Sequence, residues 1–403
     1  MLKFGEEEVR AVGRVAEGGQ MFRYFPGGQC ERFEKRYAKS LGAKHVALTA
    51  SGTNALTAAL VGVGIGPGDE VIVPSFTYMA SAIAVLAAGA IPVIVDVDES
   101  TLIDPDAIDD AVGPCTRAVM PVHLWGQSCD MRSVMRVARK HKLIVVEDVC
   151  QAVGGGYEGK MLGTIGHAAG FSFNYYKNMT CGEGGAVVTN KDGVARRARC
   201  MIDSCSFYWK GRNKSFTPFV SNGARASEFQ GAILNEQLTR LPALIRKLRS
   251  AKKQILRATA KSGLTPTPVH SLDYECGTFV MYLLPTPEQA GAFCKSVGCG
   301  IAGQTGRHVY TEWDPILELQ GASHPALNPF DLPQNKKCRK NYSKDMLPRS
   351  LDVLNRTAMI ALSPDMTPQD VKSLVTRIND AAANVLQDEG KPPARKRRTR
   401  KKS

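Results

Sequence analysis

The stretch HVALTASGTNALTAALVGVGIGPGDEVIVP, residues 45–74, decides the fold. It opens on a short strand-like run, passes through SGT, continues as NALTAALVGVG with apolar residues at helical spacing, and closes on the β-branched run EVIVP. Strand, helix, strand in this order is the unit of a parallel sheet, because parallel neighbours need a crossover connection. Outward from this unit the alternation holds from Lys44 to about Asn190. Further strands are expected at IPVIVDV (91–97), RAVMPV (117–122) and LIVVEDV (143–149), with an amphipathic helix in MRSVMRVARKHK. Strands this continuously apolar are buried on both faces. The expected fold class is α/β, with a mostly parallel sheet flanked by helices and ligands gathering at the carboxyl ends of the strands.

Beyond Asn222 the pattern changes. A long helical run, ARASEFQGAILNEQLTRLPALIRKLRSAKKQILRATAKSG, is expected to be interrupted at Pro242 and to lead into a second domain. From about Leu264 to Val385, short strands such as GTFVMYLLP (277–285) mix with helices such as PEQAGAFCKSVG, as in a smaller α+β domain. The expected division is a large domain over 1–250, a small domain over 251–388 and a basic tail over 389–403. His308 to Arg349 has weak periodicity and many Pro, Asn and aromatic residues, which points to an ordered functional loop.

Composition narrows the class. The chain has 403 residues and 43% hydrophobic content, ordinary for a globular protein of two domains. MLKFGEEEVRAVGRVAEGG carries acids where a signal peptide needs an apolar core, so a soluble cytoplasmic protein without membrane association is expected. The 11 cysteines include no CxxC pair, which favours reduced thiols over disulfides or a zinc site, and no metal is expected. Net charge is +14, and the terminal KPPARKRRTRKKS holds eight Lys or Arg without an acid. Such a run is either a solvated tail or a polyanion-binding element acting through phosphate neutralisation.

Three segments carry chemistry. SGTNAL (51–56) follows a strand and opens a helix, an arrangement that caps the helix or binds a phosphate. VVEDVCQA (145–152) places Asp148 at a strand end, where a carboxylate either caps the next helix or pairs with a cation such as a protonated pyridine nitrogen. In GFSFNYYKNMTCGEGGAVVTN (170–190), Lys177 stands five residues beyond Ser172, between an aromatic strand and a Gly-rich turn. Desolvated there, a lysine serves as a nucleophilic amine; otherwise it is a surface residue.

In this order and spacing the three segments resemble the DegT/DnrJ/EryC1/StrS sugar aminotransferases, of the fold type I pyridoxal-phosphate enzymes. The resemblance runs from about Phe22 to the end of the small domain and is densest in GDEVIVPSFTYMAS, VEDVCQAVGGGYEGKMLGTIG and FSFNYYKNMTCGEGG. It implies pyridoxal 5′-phosphate as cofactor and Lys177 as the lysine that bonds it and shuttles the substrate proton. It implies Asp148 as partner of the ring nitrogen, Gln151 as donor to the phenolic oxygen, Tyr78 as the stacking aromatic, and Gly52, Thr53 and Ser172 as phosphate ligands. The amino donor implied is glutamate or glutamine, and the acceptor a keto-sugar, keto-sugar phosphate or keto-cyclitol.

Family members are usually homodimers with shared sites, through a segment like GxNxRxSExQAA. In SNGARASEFQGAIL Arg225 is in register and Asn222 is the candidate cofactor-phosphate contact offered to the partner subunit, although it sits one residue early and Gly223 takes the usual Asn position. His167 also stands where an Asp is common. Relatives with His in place of the lysine act as dehydratases, which Lys177 argues against; a regulatory protein that binds nucleic acid through the tail is a further alternative. RHVYTEWDPILELQGASHPALNPF resembles the branch acting on free or phosphorylated keto-sugars, octulosonates and keto-cyclitols at least as well as it resembles the nucleotide-sugar branch. His308, Tyr310, Trp313 and His324 are candidate substrate contacts there, or aromatic packing anchors.

Overall fold

The computed structural model describes residues 4–209 and 216–386, so the basic tail and any polyanion binding by it lie outside the described residues. The large sheet comprises β1 (His45–Thr49), β2 (Glu70–Pro74), β3 (Ile91–Val95), β4 (Thr116–Val119) and β5 (Ile144–Asp148). After a separate hairpin, β6 (Gly156–Tyr157) and β7 (Lys160–Met161), come its last strands β8 (Ala168–Ser172) and β9 (Gly185–Thr189). The spatial order is β1-β9-β8-β5-β4-β2-β3. Neighbours from β8 to β3 are parallel, whereas β9 runs against both β8 and β1. The strands at EVIVP and IPVIV are buried along their whole length, as their apolar runs require.

Helices α1 (Glu6–Gly18), α2 (Gln29–Leu41), α3 (Gly52–Val63), α4 (Ala80–Ala87), α5 (Pro105–Asp110), α6 (Met131–His141), α7 (Asp192–Ile202) and α8 (Ser206–Trp209) accompany this sheet. The start of α3 is set by Ser51, whose Oγ accepts from the Asn54 amide at 3.2 Å. Gly170 lets α3 lie close on β8: a Cβ there would stand 2.6 Å from the Leu56 side chain. The carboxyl ends of β1, β2, β5 and β8 therefore present Ser51–Thr53, Thr77–Tyr78, Asp148–Gln151 and Ser172–Lys177 along one edge.

The expected interruption at Pro242 does not occur. A single helix, α9, runs from Glu228 to Ala258 with Pro242 inside it. Pro242 is exposed, while Leu241, Leu244 and Leu248 keep the opposite face buried, so packing outweighs the lost backbone bond. Residue 250 falls within α9, which packs on α1 and α2 at one end and against β11 and α13 at the other.

The small antiparallel sheet has the order β10 (Thr265–Pro266), β11 (Phe279–Leu283), β13 (Thr357–Ala361), β12 (Gly300–Ile301). It carries α10 (Pro287–Val297), α12 (Pro348–Arg356) and α13 (Pro368–Leu386), with the short α11 (Asp314–Leu317) in the strap between β12 and α12. A buried ion pair fastens α9 to the segment entering β11, with Lys252 Nζ 2.6 Å from Glu275 Oε1.

The strap is a series of short 3₁₀ turns tied to the large domain. Main-chain bonds join Thr77 N to His308 O (2.9 Å), Met79 N to Arg307 O (3.1 Å) and Tyr310 N to Ser75 O (2.9 Å). Buried Asn335 donates to the carbonyls of Gly89 and Pro329, and Arg339 pairs with Glu70 at the start of β2. These non-local bonds replace the helical or strand periodicity that the strap lacks. Among the described residues no helix is long and apolar enough to cross a membrane, all 11 cysteines are free, and no cluster of His, Cys, Asp and Glu is arranged to hold a metal.

Candidate active site

A cavity of about 940 Å³ opens at the carboxyl ends of the strands, between the two sheets. At its floor Gly52 begins α3 opposite Ser172. A Cβ on Gly52 would lie 2.8 Å from Ser172 Cβ and 3.1 Å from Cys150 Sγ, so this wall admits only glycine. Ser51 caps the Asn54 amide and its carbonyl takes the Ala55 amide, while the first amides of α3, at Gly52 and Thr53, stand at the helix N-terminus, where an anion is favoured. Gly52, Thr53 and Ser172 all line the cavity, as phosphate ligands must.

Asp148 ends β5 and is only 3% exposed. Its Oδ2 accepts from Ser81 Oγ at 2.7 Å and its Oδ1 from the Cys150 amide at 3.0 Å. Ser81 shares a further 2.7 Å hydrogen bond with Thr77 Oγ1. Two donors pointed at one carboxylate fix its orientation toward the cavity. The neighbouring Glu147 faces away from the site: it accepts the amides of Gly163, Ile165 and Gly166 and contacts His123. His167 likewise serves the fold, accepting the Val145 amide through Nδ1.

Lys177 lines the cavity from the turn after β8, its amide bonded to Asn174 O at 3.0 Å. Tyr78, 38% exposed, presents its ring to the same space. His308 lies between Tyr78 and Trp125, with ring centroids 5.4 and 4.6 Å away. Its Nε2 is 3.0 Å from Gln151 Nε2 and its Nδ1 is 3.3 Å from Thr305 O. Nδ1–H therefore donates to the carbonyl and Nε2 accepts from the amide. Burial, the largest influence, lowers the His308 pKa from 6.5 to about 4, and the Lys177 and Arg307 charges act the same way.

Lys177, Asp148, Gln151, Tyr78, Gly52, Thr53, Ser172 and His308 thus share one cavity. Three other candidate substrate contacts do not reach it within this chain. Tyr310 is buried, donating to Lys344 O at 2.8 Å, and Trp313 is buried with Nε1 on Arg307 O at 3.0 Å. Both are packing anchors, because their polar tips are consumed by main-chain carbonyls. His324 is exposed and accepts the Ala326 amide, capping its own turn. Asn222 is also exposed and outside the cavity; Gly223 after it has φ +70°, and Ala224 O receives the Ala50 amide.

Sequence reasoning missed Ser81, Trp125 and Arg307. Trp125 has φ +53° and precedes Gly126 at φ +80°, a backbone signature visible only as the dipeptide Trp-Gly in VHLWGQ.

A family profile described as the DegT/DnrJ/EryC1/StrS aminotransferase family matches residues 3–296. The chain belongs to the DegT/DnrJ/EryC1/StrS aminotransferase family. Its similarity to GDP-perosamine synthase of Caulobacter vibrioides is 45% identity over 52% of this chain and 56% of that protein, so the match spans little more than half of that relative. With the spore coat polysaccharide biosynthesis protein SpsC of Bacillus subtilis it shares 32% identity over 93% and 94% of the two chains. The solved aminotransferase from Psychrobacter cryohalolentis superposes with a TM-score of 0.77 at 28% identity, covering 95% of this chain and 98% of that one. The fold is that of a type I aminotransferase of this family, with the α/β large domain and α+β small domain described above.

Proposed function

We propose that the protein is a pyridoxal-phosphate-dependent aminotransferase that moves an amino group from glutamate or glutamine to a keto-sugar, keto-sugar phosphate or keto-cyclitol. One observation carries this reading: Lys177, Asp148 and the glycine-only wall between Gly52 and Ser172 meet in a single cavity at the strand ends. The residues fit the cofactor. An anion cradle, an oriented buried carboxylate and a lysine amine are the groups that its phosphate, ring nitrogen and aldehyde require.

When bound, the cofactor supplies an electron sink for the carbon that carries the amino group. Gly52, Thr53 and Ser172 hold its phosphate. Asp148, oriented by Ser81 and the Cys150 amide, would hold a proton on the ring nitrogen. Tyr78 would pack against the ring, and Gln151, steadied by His308, would donate to its phenolic oxygen. Lys177 Nζ takes the proton from the donor's Cα and later delivers one to the acceptor carbon, a general acid and base contribution of roughly 10²–10⁴-fold. Donor and acceptor use the same cavity in turn, so the kinetics are ping-pong.

The working form is proposed to be a homodimer. Supporting this, Phe22, Phe25 and Trp209 form an exposed edge-to-face cluster, an apolar surface suited to a second copy. Sedimentation at low micromolar concentration is expected to give twice the chain mass. The catalytic reading is tested by visible absorbance. Purified protein should carry the band of lysine-bound cofactor and lose it on addition of glutamate or glutamine, and Lys177→Ala should abolish both the band and turnover. A Lys177→Ala protein indistinguishable from wild type would refute the reading.

A further inference from the structure

Arg307 is the cation in this cavity that the mechanism leaves without a task. Its main chain is held rigidly: Arg307 O accepts both the Met79 amide at 3.1 Å and Trp313 Nε1 at 3.0 Å. Its guanidinium lies 5.5 Å from the Tyr78 ring centroid and lines the cavity. No carboxylate among the described residues pairs with it. The two acidic side chains lining the same cavity are committed elsewhere, Asp148 to Ser81 and the Cys150 amide, and Glu183 to Asn174 Nδ2 at 2.8 Å. The adjacent His308 is neutral above about pH 4 and adds no charge. At that distance the guanidinium is within cation–π reach of the Tyr78 ring, and with no carboxylate paired to it among the described residues its N–H groups are left for a ligand.

The phosphate cradle of Gly52, Thr53 and Ser172 is built on other elements, the start of α3 and the end of β8. At about 940 Å³ the cavity stands at the upper end of the roughly 300–1,000 Å³ usual for small-molecule sites, space for a sugar-sized molecule beside a cofactor.

Resting on the aminotransferase reading, we infer that Arg307 is the specificity-determining residue for the acceptor, and that the acceptor is a ketose bearing an anionic group, phosphate or carboxylate. The planar guanidinium matches the paired oxygens of either group, whereas a neutral keto-cyclitol leaves its charge unanswered. Among the acceptors proposed above, this selects the charged sugars.

The test uses holoenzyme in its amino-loaded form, with kcat/KM measured for a keto-sugar phosphate, a keto-sugar acid and a matched neutral ketone. Wild type should prefer one anionic ketone over the neutral one, and which anion is preferred separates phosphate from carboxylate. Arg307→Met should reduce the anionic-to-neutral ratio by about 10- to 100-fold, and Arg307→Lys should retain part of it. Calorimetry gives a readout apart from turnover: glucose 6-phosphate or gluconate should bind holoenzyme more tightly than glucose, and Arg307→Met should erase the difference.

Three results would overturn the inference while leaving aminotransfer intact. One is a wild type without anionic preference. The second is an Arg307→Met protein with an unchanged ratio. The third is an Arg307→Met defect confined to cofactor retention or to the glutamate half-reaction, which reassigns the guanidinium to the cofactor or the donor. A wild type whose visible band answers to no amino donor would instead sink the aminotransferase reading itself.

Discussion

His308 shows how a single ring acquires its protonation state from its neighbours. Enclosed by Tyr78 and Trp125, and with Nε2 already accepting from Gln151, it has no room for a second ring proton. Burial foremost depresses its pKa from 6.5 to about 4. Between those values the unfolded chain binds a proton that the folded chain refuses, so this contribution to stability is complete above about pH 6.5 and is lost as pH falls toward 4. The effect is on the order of 2 kcal/mol. Thermal unfolding of holoenzyme between pH 7 and 4.5 should therefore fall more steeply for wild type than for His308→Gln; parallel curves would show that the ring is not held neutral. The same residue marks a limit of sequence reading. His308, Tyr310 and Trp313 look alike as candidate contacts in RHVYTEWDP, yet only His308 faces the cavity. Composition reveals that a segment is aromatic, while the direction of each ring is decided by distant carbonyls such as Lys344 O.

Among the elements, those with a local rule were legible and those with a non-local one were not. Four of the five strands from HVALT to LIVVEDV appear within two residues of their expected limits, and β4 stops at Val119, three residues before the expected end at Val122, because apolar continuity is written along the chain and pairing is not. Asp148 was marked by its place at the end of an apolar run, whereas Ser172 and Lys177 were picked out through the family resemblance of FSFNYYKNMTCGEGG, and all three line the cavity. Ser81 was not legible: it sits inside ASAIAVLA as an ordinary small helical residue, and its role comes from meeting β5, 67 positions away. Helix α9 reverses the lesson. Pro242 obeys the local rule by removing one backbone donor, and tertiary packing of the leucine face overrides it. Because Pro242 is exposed, Pro242→Ala should restore the bond to Leu238 O and raise stability by about 1–3 kcal/mol. A urea midpoint that is unchanged or lower would mean that the helix is bent around the ring and depends on it.

For the whole molecule, the two sheets are joined by α9, by the strap and by the Lys252–Glu275 pair. Both partners of that pair are almost completely buried, at 2% and 0% exposure, so neither charge has water to fall back on. Burial chiefly raises the Glu275 pKa, and Lys252 opposes it. Lys252→Met should destabilise by about 3–5 kcal/mol, and Lys252→Met with Glu275→Leu should recover most of that loss, since the cost lies in the orphaned carboxylate. Equal losses for single and double variants, measured by denaturant unfolding, would contradict this. The strap has a different kind of importance. Arg307, His308 and Tyr310 are fixed through main-chain atoms bonded to Met79 N, Thr77 N and Ser75 O. Positions 307 and 308 supply only carbonyl oxygens to these bonds, and every residue has one, so the Arg307 side chain is released from upholding the fold. What the cavity accepts is thereby evolvable apart from how it reacts: rewriting the single codon at 307 retunes the acceptor, while the lysine, the carboxylate, the glycine wall and the histidine that steadies Gln151 are inherited untouched.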